Sequence, residues 1–589
     1  MSQNNEKSKM GLAIAISLAI LLGWQYFQGE TQKKRALENP PQTAEGTVNP
    51  GLPTAPSSAA AQPGVPGAPG VPEGQAAAPQ ALSPEAERQA ALEAGPRLQI
   101  DTPRFKGSIA LKGARLDDLL LIDYRETTAP DSPYVSLLKP GNGIGAYYAD
   151  FGWVSEDKTL ALPGPDTVWH TQDDTLTPER PVRLVWDNGQ GLRFIRTLSV
   201  DADYMFTVSQ TVENYGTAPV TLYPYGLMAR VGTPHTSDFY ILHEGAVGVF
   251  DGTLQEVKYK ALREDDHRIE SKGNNGWVGF SDKYWLTALA PNQGDAVTLR
   301  MSWYRLNATD RYQTDWMGQA VTVAPGASGA SSGHLFAGAK VLSLLNAYAD
   351  QYKLPLFDRA IDFGWFWFLT IPFFYCLRFI HQHVGNFGIA ILIFTVMVKL
   401  AFFPIANKSY RSMNKMKKLQ PEVKRLQELY ADDKQRMNQE VMALYKREKA
   451  NPVSGCLPIL IQIPVFFALY KVLYVTIEMR QAPFYGWIHD LSAPDPTSLF
   501  NLFGLIPWAP PAMLMIGAWP VLMGITMWLQ QKLNPAPADP MQAKIFMFLP
   551  FIFTFMLAQF PAGLVIYWAW NNILSIGQQW LIMKQADKA

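Results

Sequence analysis

The stretch Gly388–Pro404, GIAILIFTVMVKLAFFP, decides the fold because it is apolar over almost its whole length and carries a single cation, Lys399. A helix rises about 1.5 Å per residue, so a run of this length crosses most of the hydrocarbon core of a bilayer. A charged side chain inside such a run is costly and often functional. The stretch therefore predicts a transmembrane helix over 386–404 whose lysine needs an explanation.

Further apolar runs predict a polytopic α-helical membrane protein. The first run, 10–27, follows Lys7 and Lys9 and contains no charge, which is typical of an uncleaved transmembrane anchor. A cleaved signal peptide is the alternative, but bulky aromatic and charged residues follow the run where a small-residue cleavage site would be expected. The remaining predicted crossings are 452–476, 512–530, 544–560 and 562–582.

The distribution of charge predicts the side of the membrane that each loop occupies. The loop 405–451 contains, by direct count, 12 Lys or Arg and 6 Asp or Glu, whereas the loop 477–511 contains one Arg and three acidic residues. Because cytoplasmic loops are rich in Lys and Arg, we place the N-terminus 1–9 and the loop 405–451 in the cytoplasm and 477–511 in the periplasm. The loop 531–543 and the short tail 583–589 are then cytoplasmic.

The segment 341–385 contains one more candidate crossing, 363–380, which is rich in aromatic residues but interrupted by Pro372 and Arg378. It could cross the membrane or lie in the interface. An odd number of crossings must separate an outer domain from the basic loop, so only one of 363–380 and 387–403 spans. We choose 387–403 and describe 341–385 as a helical linker with an interfacial amphipathic helix. This gives six crossings with both termini inside.

Two segments between the first and second crossings lie outside the membrane. Residues 28–96 are dominated by Ala, Pro, Gly and Gln, which predicts a disordered tether. Residues 97–340 alternate short apolar runs with Gly, Asn, Asp and Pro, which predicts an all-β sandwich with two packed sheets. The sequence has no cysteine between residues 28 and 375, so this domain cannot contain a disulfide.

The basic loop 405–451 has a helical pattern, because its apolar residues recur every three or four positions, stop at ADDK and then resume. The recurring residues are Met413, Met416, Leu419, Val423, Leu426 and Leu429, followed by Met437, Val441 and Leu444. This predicts a cytoplasmic helical hairpin. Its charged faces fit either a solvated coiled-coil pair or docking to anionic lipid or ribosomal RNA.

Polar residues recur inside the predicted crossings. Thr395 lies one turn before Lys399 on the same helix face, and Gln462 lies between two prolines of the next crossing. Later crossings contribute Thr526 with Gln530, and the stripe Trp568, Asn571 or Asn572, Ser575 and Gln578 or Gln579. An interhelical hydrogen bond explains each polar group alone, and snorkelling to the interface explains Lys399 alone. Together they predict a polar cavity open to the cytoplasm.

Three long segments resemble the YidC/Oxa/Alb family of bacterial membrane protein insertases. They are DDKQRMNQEVMALYKREKANP, NPVSGCLPILIQIPVFFALYKVLYVTIEMRQAPFYGWIHDLSAPDP and DPMQAKIFMFLPFIFTFMLAQFPAGLVIYWAWNNILSIGQQWLI. The resemblance covers about residues 362 to 583, and the anchor, tether and β domain match the long Gram-negative form. It implies a five-helix insertase core and a periplasmic β-supersandwich similar to that of sugar mutarotases.

The resemblance also implies a hydrophilic groove, in which the family usually has an arginine where this chain has Lys399. Lysine keeps the charge but loses the planar fork that binds a carboxylate through two hydrogen bonds. The pair Tyr567 and Trp568 stands where the family often has two tyrosines. The expected groove residues are Lys399, Thr395, Gln462, Thr526, Tyr567, Trp568, Asn571, Asn572 and Ser575.

Partners follow from the same resemblance. We expect a multi-pass protein of the inner membrane that contacts membrane lipid, receives nascent membrane proteins, and acts alone or with the Sec translocon and its accessory subunits. Family members with long basic tails use them to contact the ribosome. Because the tail 583–589 is short, contact with the ribosome or the signal recognition particle pathway would fall to the hairpin 405–451.

No nucleotide-binding or zinc-protease motif of the types G-x-x-x-x-G-K-[ST] or H-E-x-x-H occurs, and we expect no covalent chemistry, cofactor or metal. A mutarotase-like domain raises sugar binding or catalysis by His235, His243 or Glu244, although lone histidines in β domains are usually structural. Two other classes stay open: a transporter or channel, which needs polar residues across the full membrane depth, and an assembly scaffold.

Overall fold

The computed structural model describes residues 84–236, 242–264, 268–306, 308–430, 433–448, 450, 457–508, 510–511, 514–534 and 540–588. The predicted N-terminus 1–9, the anchor 10–27 and most of the tether 28–96 lie outside these residues. The same holds for the first residues of the predicted crossing 452–476 and for part of the loop 531–543.

Helix α1 (Pro84–Glu93) lies in the last part of the segment predicted to be a disordered tether. The tether prediction is therefore wrong for these residues. Their sequence, PEAERQAALE, is rich in Ala, Glu, Gln and Arg, which are strong helix formers, whereas Pro and Gly dominate the residues before it. Arg88 Nη2 also lies 2.5 Å from Asp118 Oδ1, so α1 is held on the β domain.

Residues 97–339 form two sheets around a shared core, which confirms the all-β sandwich predicted for 97–340. The strands are β1 (Arg97–Asp101), β2 (Phe105–Ala110), β3 (Arg115–Arg125), β4 (Tyr134–Leu138), β5 (Tyr147–Val154), β6 (Thr175–Leu176), β7 (Val182–Asp187), β8 (Leu192–Val200), β9 (Met205–Asn214), β10 (Val220–Val231), β11 (Gly245–Phe250), β12 (Thr253–Lys258), β13 (Ile269–Gly273), β14 (Gly276–Ser281), β15 (Trp285–Pro291), β16 (Val297–Leu306), β17 (Thr309–Gly318), β18 (Val321–Val323) and β19 (Ser328–Ala339). The larger sheet runs β13-β16-β17-β10-β5-β3-β2-β1-β6, with β4 beside β3 and β18 beside β10. The smaller runs β12-β11-β14-β15-β19-β9-β8-β7.

The strands form because apolar and polar residues alternate along them. In β9, every second side chain from Phe206 onwards is buried and the others are partly exposed, as expected for a strand with one face on the core. Aromatic rings fill the space between the sheets, with the ring centroids of Phe105 and Phe206 5.3 Å apart. The domain therefore has a hydrophobic core of its own.

Most helices follow the β domain. They are α2 (Tyr259–Arg263) inside that domain, then α3 (Leu342–Tyr352), α4 (Trp367–Val384), α5 (Phe387–Ala401), α6 (Phe403–Lys418), α7 (Gln420–Leu429), α8 (Lys434–Arg447), α9 (Leu457–Val475), α10 (Ala518–Leu533), α11 (Pro540–Leu557) and α12 (Ala562–Lys588). Helix α12 packs against α5, α6, α9 and α10, while α11 packs on α10 and α4 packs on α5 and α9. The last helix is thus the centre of the bundle.

A two-residue connection joins α4 to α5. Gly385 ends α4 with φ of 70°, a left-handed conformation that glycine adopts at low cost, and Asn386 Oδ1 caps α5 by accepting the Ile389 N–H at 3.1 Å. The outward face of α4 carries exposed aromatic side chains, namely Trp367, Phe368, Tyr375 and Phe379. The helix predicted to lie in the interface therefore has an exposed aromatic face.

The helix predicted over 386–404 ends early. Helix α5 ends at Ala401, and α6 begins at Phe403 after a bend of 69°. Pro404 is tolerated in the first turn of α6, but in an unbroken helix its ring would clash with the carbonyl one turn earlier. In the described part of the chain, no single helix is both long and apolar enough to span a membrane. The bent pair of α5 and α6 together has the required length and hydropathy.

The apolar residues of the basic loop, which predict a helical hairpin, divide into two clusters. Val423 of α7 packs with Val441 and Leu444 of α8. Met413 and Met416 of α6 instead join a cluster that includes Tyr410, Ala450 and Ile582 of α12. The bend before α6 turns this helix back onto the bundle, so only α7 and α8 remain as a helical pair.

The β domain and the linker that follows it contact the helical bundle near one end of α9. Arg480, which follows α9, donates from Nη2 to the Arg125 carbonyl at the end of β3, with a separation of 2.5 Å. Lys471 of α9 pairs with Asp362 of the linker at 2.8 Å. Lys283 Nζ lies 3.8 Å from the centroid of the Tyr474 ring. All three contacts involve the end of α9 that leads into the loop 477–511.

Candidate functional site

The polar residues of α12 are buried although they lie in a largely apolar helix. Asn571, Asn572, Ser575 and Gln579 have exposed fractions of 8, 3, 2 and 2%. They recur at intervals of three and four residues, so they project toward the neighbouring helices. Buried amides and hydroxyls need hydrogen-bond partners, and their partners lie on α9, α5 and α10.

Lys399 of α5 reaches Ser575 of α12. Its Nζ donates to Ser575 Oγ at 2.7 Å, and that hydroxyl in turn donates to the Asn571 carbonyl at 2.8 Å. The lysine is half-buried. Its ammonium therefore points into the bundle, toward the stripe of α12, and this geometry differs from snorkelling along the helix to a headgroup.

Gln462 of α9 extends the same network. Its Nε2 donates to the Tyr567 hydroxyl at 2.6 Å and lies 3.4 Å from Asn571 Oδ1. The five residues Lys399, Gln462, Tyr567, Asn571 and Ser575 thus form one set of contacts across three helices, which we name the polar cluster. The sequence predicted all five residues, and the structure brings them together.

A second polar contact lies between α12 and α10. Asn572 Nδ2 donates to Thr526 Oγ1 at 3.3 Å, and the Thr526 hydroxyl donates to the Met523 carbonyl at 2.8 Å. Adjacent residues of a helix project about 100° apart, so Asn572 serves a different interface from Asn571. This pair therefore fixes α10 against α12, beside the polar cluster.

Two predicted groove residues have other surroundings. Thr395 is fully buried, and its hydroxyl donates to the Ile391 carbonyl of its own helix at 2.6 Å. The Trp568 ring packs between Phe466 and Phe553, with centroid separations of 4.7 and 5.9 Å. Both line the bundle through packing, and no hydrogen bond recorded for the described residues joins them to the polar cluster.

Three buried polar atoms on α6 and α12 have no hydrogen-bond partner among the described residues. They are Asn407 Oδ1, Gln578 Nε2 and Gln579 Oε1. Such atoms are costly unless water or a bound group satisfies them. The prediction of a groove did not include Asn407, which the bend after α5 brings to the bundle. Its only signal in the sequence is an amide placed just after Pro404.

The candidates in the β domain have structural partners. His243 is buried, and its Nε2 donates to the Ala246 carbonyl at 2.9 Å, while burial lowers the pKa of this histidine to about 4. His235 lies at the surface beside the Thr236 carbonyl, and Glu244 accepts the Lys283 N–H at 3.2 Å. In the described ranges, no three His, Cys, Asp or Glu side chains are grouped so that they could hold a metal ion.

Comparisons with known proteins cover almost the whole chain. Residues 379–589 match the family described as 60Kd inner membrane protein, and residues 97–376 match the family described as YidC periplasmic domain. The membrane protein insertase YidC of Granulibacter bethesdensis is 51% identical over 591 residues, covering 98% of both chains. That of Rickettsia massiliae is 47% identical over 582 residues, covering 99% of this chain and 100% of the relative.

The comparison with solved structures matches two kinds of protein. A crystal structure of an active YidC insertase with its first transmembrane domain resolved covers 82% of this chain and 91% of that chain, at 17% identity and a TM-score of 0.34. A galactose mutarotase related enzyme from Lactobacillus acidophilus covers 41% of this chain and 97% of that chain, at 10% identity and a TM-score of 0.29.

Proposed function

We infer that the polar cluster receives the polar segment of a client protein. The chain belongs to the YidC family of membrane protein insertases. Its relatives are named as insertases, and the chain accordingly inserts membrane proteins into the inner membrane. Insertion makes and breaks no covalent bond in the client. The residues that matter are therefore those that lower the cost of moving polar groups through lipid.

The observation that carries this proposal is the hydrogen bond from Lys399 to Ser575. It keeps a positive charge inside the bundle, next to amides and hydroxyls that exchange hydrogen bonds readily. A client carboxylate or carbonyl can replace Ser575 as the acceptor, and the amides of Gln462 and Asn571 can donate to further client groups. The unpartnered atoms of Asn407, Gln578 and Gln579 support a wet cavity at this place.

The mechanism has two parts. The client's polar tail enters the polar cluster from the cytoplasm, which shortens the hydrocarbon path that the tail must cross. Its apolar helix meanwhile passes along α9 and α11 into lipid, where each buried methylene contributes about 0.8 kcal/mol. The membrane potential adds about 2.3 kcal/mol per charge per 100 mV for charges that cross in the favoured direction.

The topology that fits this mechanism has six crossings, formed by the anchor 10–27 and the helices α5, α9, α10, α11 and α12. Both termini and the α7–α8 pair lie in the cytoplasm, because the loop 405–451 is the most basic part of the chain. The β domain lies in the periplasm. Helix α4 lies in the outer interface, where its exposed aromatic side chains contact lipid.

Partners beyond the client follow from this arrangement. The periplasmic β domain is available to subunits of the Sec translocon, and the α7–α8 pair to a ribosome or to components of the signal recognition particle pathway. The charge of the loop 405–451 supports the second assignment, because the loop contains 12 Lys or Arg against 6 Asp or Glu.

Insertion into liposomes tests the proposal. The chain or its Lys399→Ala variant is reconstituted, a single-spanning client with an acidic tail is synthesised in their presence, and its protected fragment is measured after protease treatment. We expect Lys399→Ala to reduce protection. Lys532→Ala is the matched control, since Lys532 is an exposed lysine in the last turn of α10 whose Nζ lies 3.7 Å from the centroid of the Trp528 ring.

The outcomes separate the remaining classes. Protection that requires the chain and falls only in Lys399→Ala supports the polar cluster as the insertion site. If Lys399→Ala and Lys532→Ala give equal protection of the client, Lys399 acts only as a lysine that snorkels to the interface. No protection by the wild-type chain would favour a scaffold, and solute flux without client insertion would favour a transporter.

A further inference from the structure

The second half of the loop 477–511 forms a compact apolar projection. Residues 499–508, which we name the knob, include a short 3-10 segment, Leu499–Gly504. Seven of its side chains are apolar and at least 43% exposed: Leu499, Phe500, Leu502, Phe503, Leu505, Ile506 and Trp508. Leu505, at 84%, is the most exposed. Clustered exposure of this kind marks a surface that contacts something other than water.

A short stem holds the knob at the beginning of α10. Asp495 Oδ2 accepts the Trp519 N–H at 2.9 Å, next to the first residue of α10. The Ser498 hydroxyl donates to the Leu514 carbonyl at 2.9 Å, and the Leu499 N–H donates to the Ile516 carbonyl at 2.8 Å. The knob is therefore fixed to a helix that belongs to the bundle.

Most backbone N–H groups of the knob are hydrogen-bonded within the knob or its stem. The N–H groups of Leu499, Phe500, Phe503, Gly504, Leu505, Ile506 and Trp508 all donate within the knob or its stem. Pro507 has no N–H. Loops in water usually leave such groups to solvent, whereas a segment in hydrocarbon must satisfy them internally. Seven of the nine N–H groups of the knob meet the second condition.

The polar side chain at the tip is also satisfied internally. Asn501 Nδ2 donates to the Trp508 carbonyl at 3.3 Å, and its Oδ1 accepts the Gly504 N–H at 3.0 Å. These bonds close a turn in which Leu502 and Phe503 adopt left-handed conformations, with φ of 49° and 58°. Left-handed conformations cost free energy in residues that have side chains. Surroundings that stabilise the outward apolar side chains offset this cost and keep the turn formed.

Charge divides the loop into two parts. Residues 477–495 include Glu478, Arg480, Asp490 and Asp495, and Arg480 contacts the β domain. From Pro496 to Gln531 the sequence contains no Asp, Glu, Lys, Arg or His. The uncharged run thus continues from the knob into α10.

We propose that the knob is inserted among the acyl chains of the outer leaflet, as a lipid-bound wedge at the outer end of α10. The proposal rests on the crossings assigned under the proposed function, which place the knob between α9 and α10 on the periplasmic side. Its occupant is phospholipid, because seven apolar side chains, N–H groups that are mostly satisfied internally and the absence of charge together match hydrocarbon and match neither water nor a charged protein surface.

Fluorescence quenching in proteoliposomes tests the knob. In a chain with Cys376 and Cys456 replaced by alanine, Leu505→Cys is labelled with an environment-sensitive NBD dye and quenched either by spin-labelled phospholipid or by aqueous iodide. Leu429→Cys is the matched control, because Leu429 is a leucine 68% exposed at the end of α7. We expect a blue-shifted emission and several-fold stronger lipid quenching at 505, with the reverse order for iodide.

Two results would overturn the proposal. Iodide quenching at 505 equal to that at 429 would place the knob in water. Protection from both quenchers that increases with the ratio of protein to lipid would show that a second copy of the chain covers it. Client insertion is measured on the same vesicles, so loss of insertion with a lipid-quenched knob would argue against the proposed function alone.

Discussion

Lys471 of α9 and Asp362 of the linker form an ion pair in which Nζ lies 2.8 Å from Oδ2, with 12% and 19% of the two side chains exposed. The lysine also donates to the Asp362 carbonyl at 3.1 Å. The same carboxylate oxygen accepts the N–H of His243 in the β domain at 3.1 Å. A single carboxylate therefore joins a helix of the bundle to the β domain.

Breaking this pair from one side should destabilise the chain. We expect Asp362→Asn to cost about 3 kcal/mol, because it removes the carboxylate that pairs with a largely buried ammonium. Adding Lys471→Met should recover much of the loss. The measurement is thermal unfolding of the chain in detergent. Glu264→Gln is the control, since it breaks an exposed pair with Lys260 worth less than about 1 kcal/mol. A double variant as unstable as Asp362→Asn would contradict the prediction.

The sign of the charge at residue 399 should decide which clients are inserted. We expect Lys399→Glu to reduce insertion of an acidic-tailed client roughly tenfold relative to a neutral-tailed one, equivalent to about 1.4 kcal/mol. Lys399→Arg should retain insertion, because it keeps the positive charge. Protease protection of the two clients in the same liposomes gives the ratio. If the ratio of protected acidic-tailed client to protected neutral-tailed client is unchanged in Lys399→Glu, the charge at residue 399 plays no part in insertion.

The contact between Gln462 and Tyr567 should appear as a coupling energy. We expect Gln462→Leu and Tyr567→Phe, combined in a double-mutant cycle, to be coupled by about 0.5–2 kcal/mol, as found for hydrogen bonds between membrane helices. Unfolding of the four variants in detergent supplies the cycle. In the control cycle, Tyr567→Phe is combined with Thr554→Val, whose hydroxyl bonds the Pro550 carbonyl of its own helix. Additivity in both cycles would rule out the contact.

Acid should destabilise the β domain through His243. Burial lowers the folded-state pKa of this histidine to about 4, below its ordinary value of 6.5. Above pH 6.5 the imidazole is neutral in the folded and unfolded states, so the free energy of unfolding does not change. Between pH 6.5 and about 4 the unfolded state binds a proton that the folded state does not, and the free energy of unfolding falls. The loss reaches about 2 kcal/mol at pH 5.

Unfolding midpoints at pH 7.5 and 5.0 check this expectation. His243→Gln should show a smaller decrease between the two values than the wild-type chain, although it is less stable at pH 7.5 because it lacks the bond to the Ala246 carbonyl. His235→Gln, at an exposed site, should decrease as the wild type does. Equal decreases in all three chains would show that another group causes the acid sensitivity.

Regular patterns in the sequence predicted the features that depend on periodicity. Alternation of apolar residues is enough to identify the sandwich, because a strand with one face on a core must alternate. Polar residues three and four apart identified the stripe of α12, since they lie on one face of a helix. Gln462, Lys399 and Ser575 could therefore be predicted as a group before their distances were known.

Features set by a single residue or by distant contacts could not be predicted in the same way. The bend after Ala401 depends on Pro404 and redirects α6. It separates the apolar residues of the basic loop into two clusters and brings Asn407 to the bundle. The knob depends on left-handed backbone at Leu502 and Phe503, for which leucine and phenylalanine carry no sequence signal. Thr395 fits the periodic pattern, yet its hydroxyl bonds within its own helix.

The bend at Phe402 has an electrostatic consequence for Lys399. Peptide dipoles sum along a helix to roughly half a negative elementary charge at its C-terminus, and this effect acts within the last turn. Because α5 ends at Ala401, Lys399 lies in that turn, whereas in an unbroken helix continuing to Lys418 the same residue would lie in the middle. Ending the helix there places a partial negative charge beside the ammonium, which helps the bundle hold a cation next to the buried amides of α12.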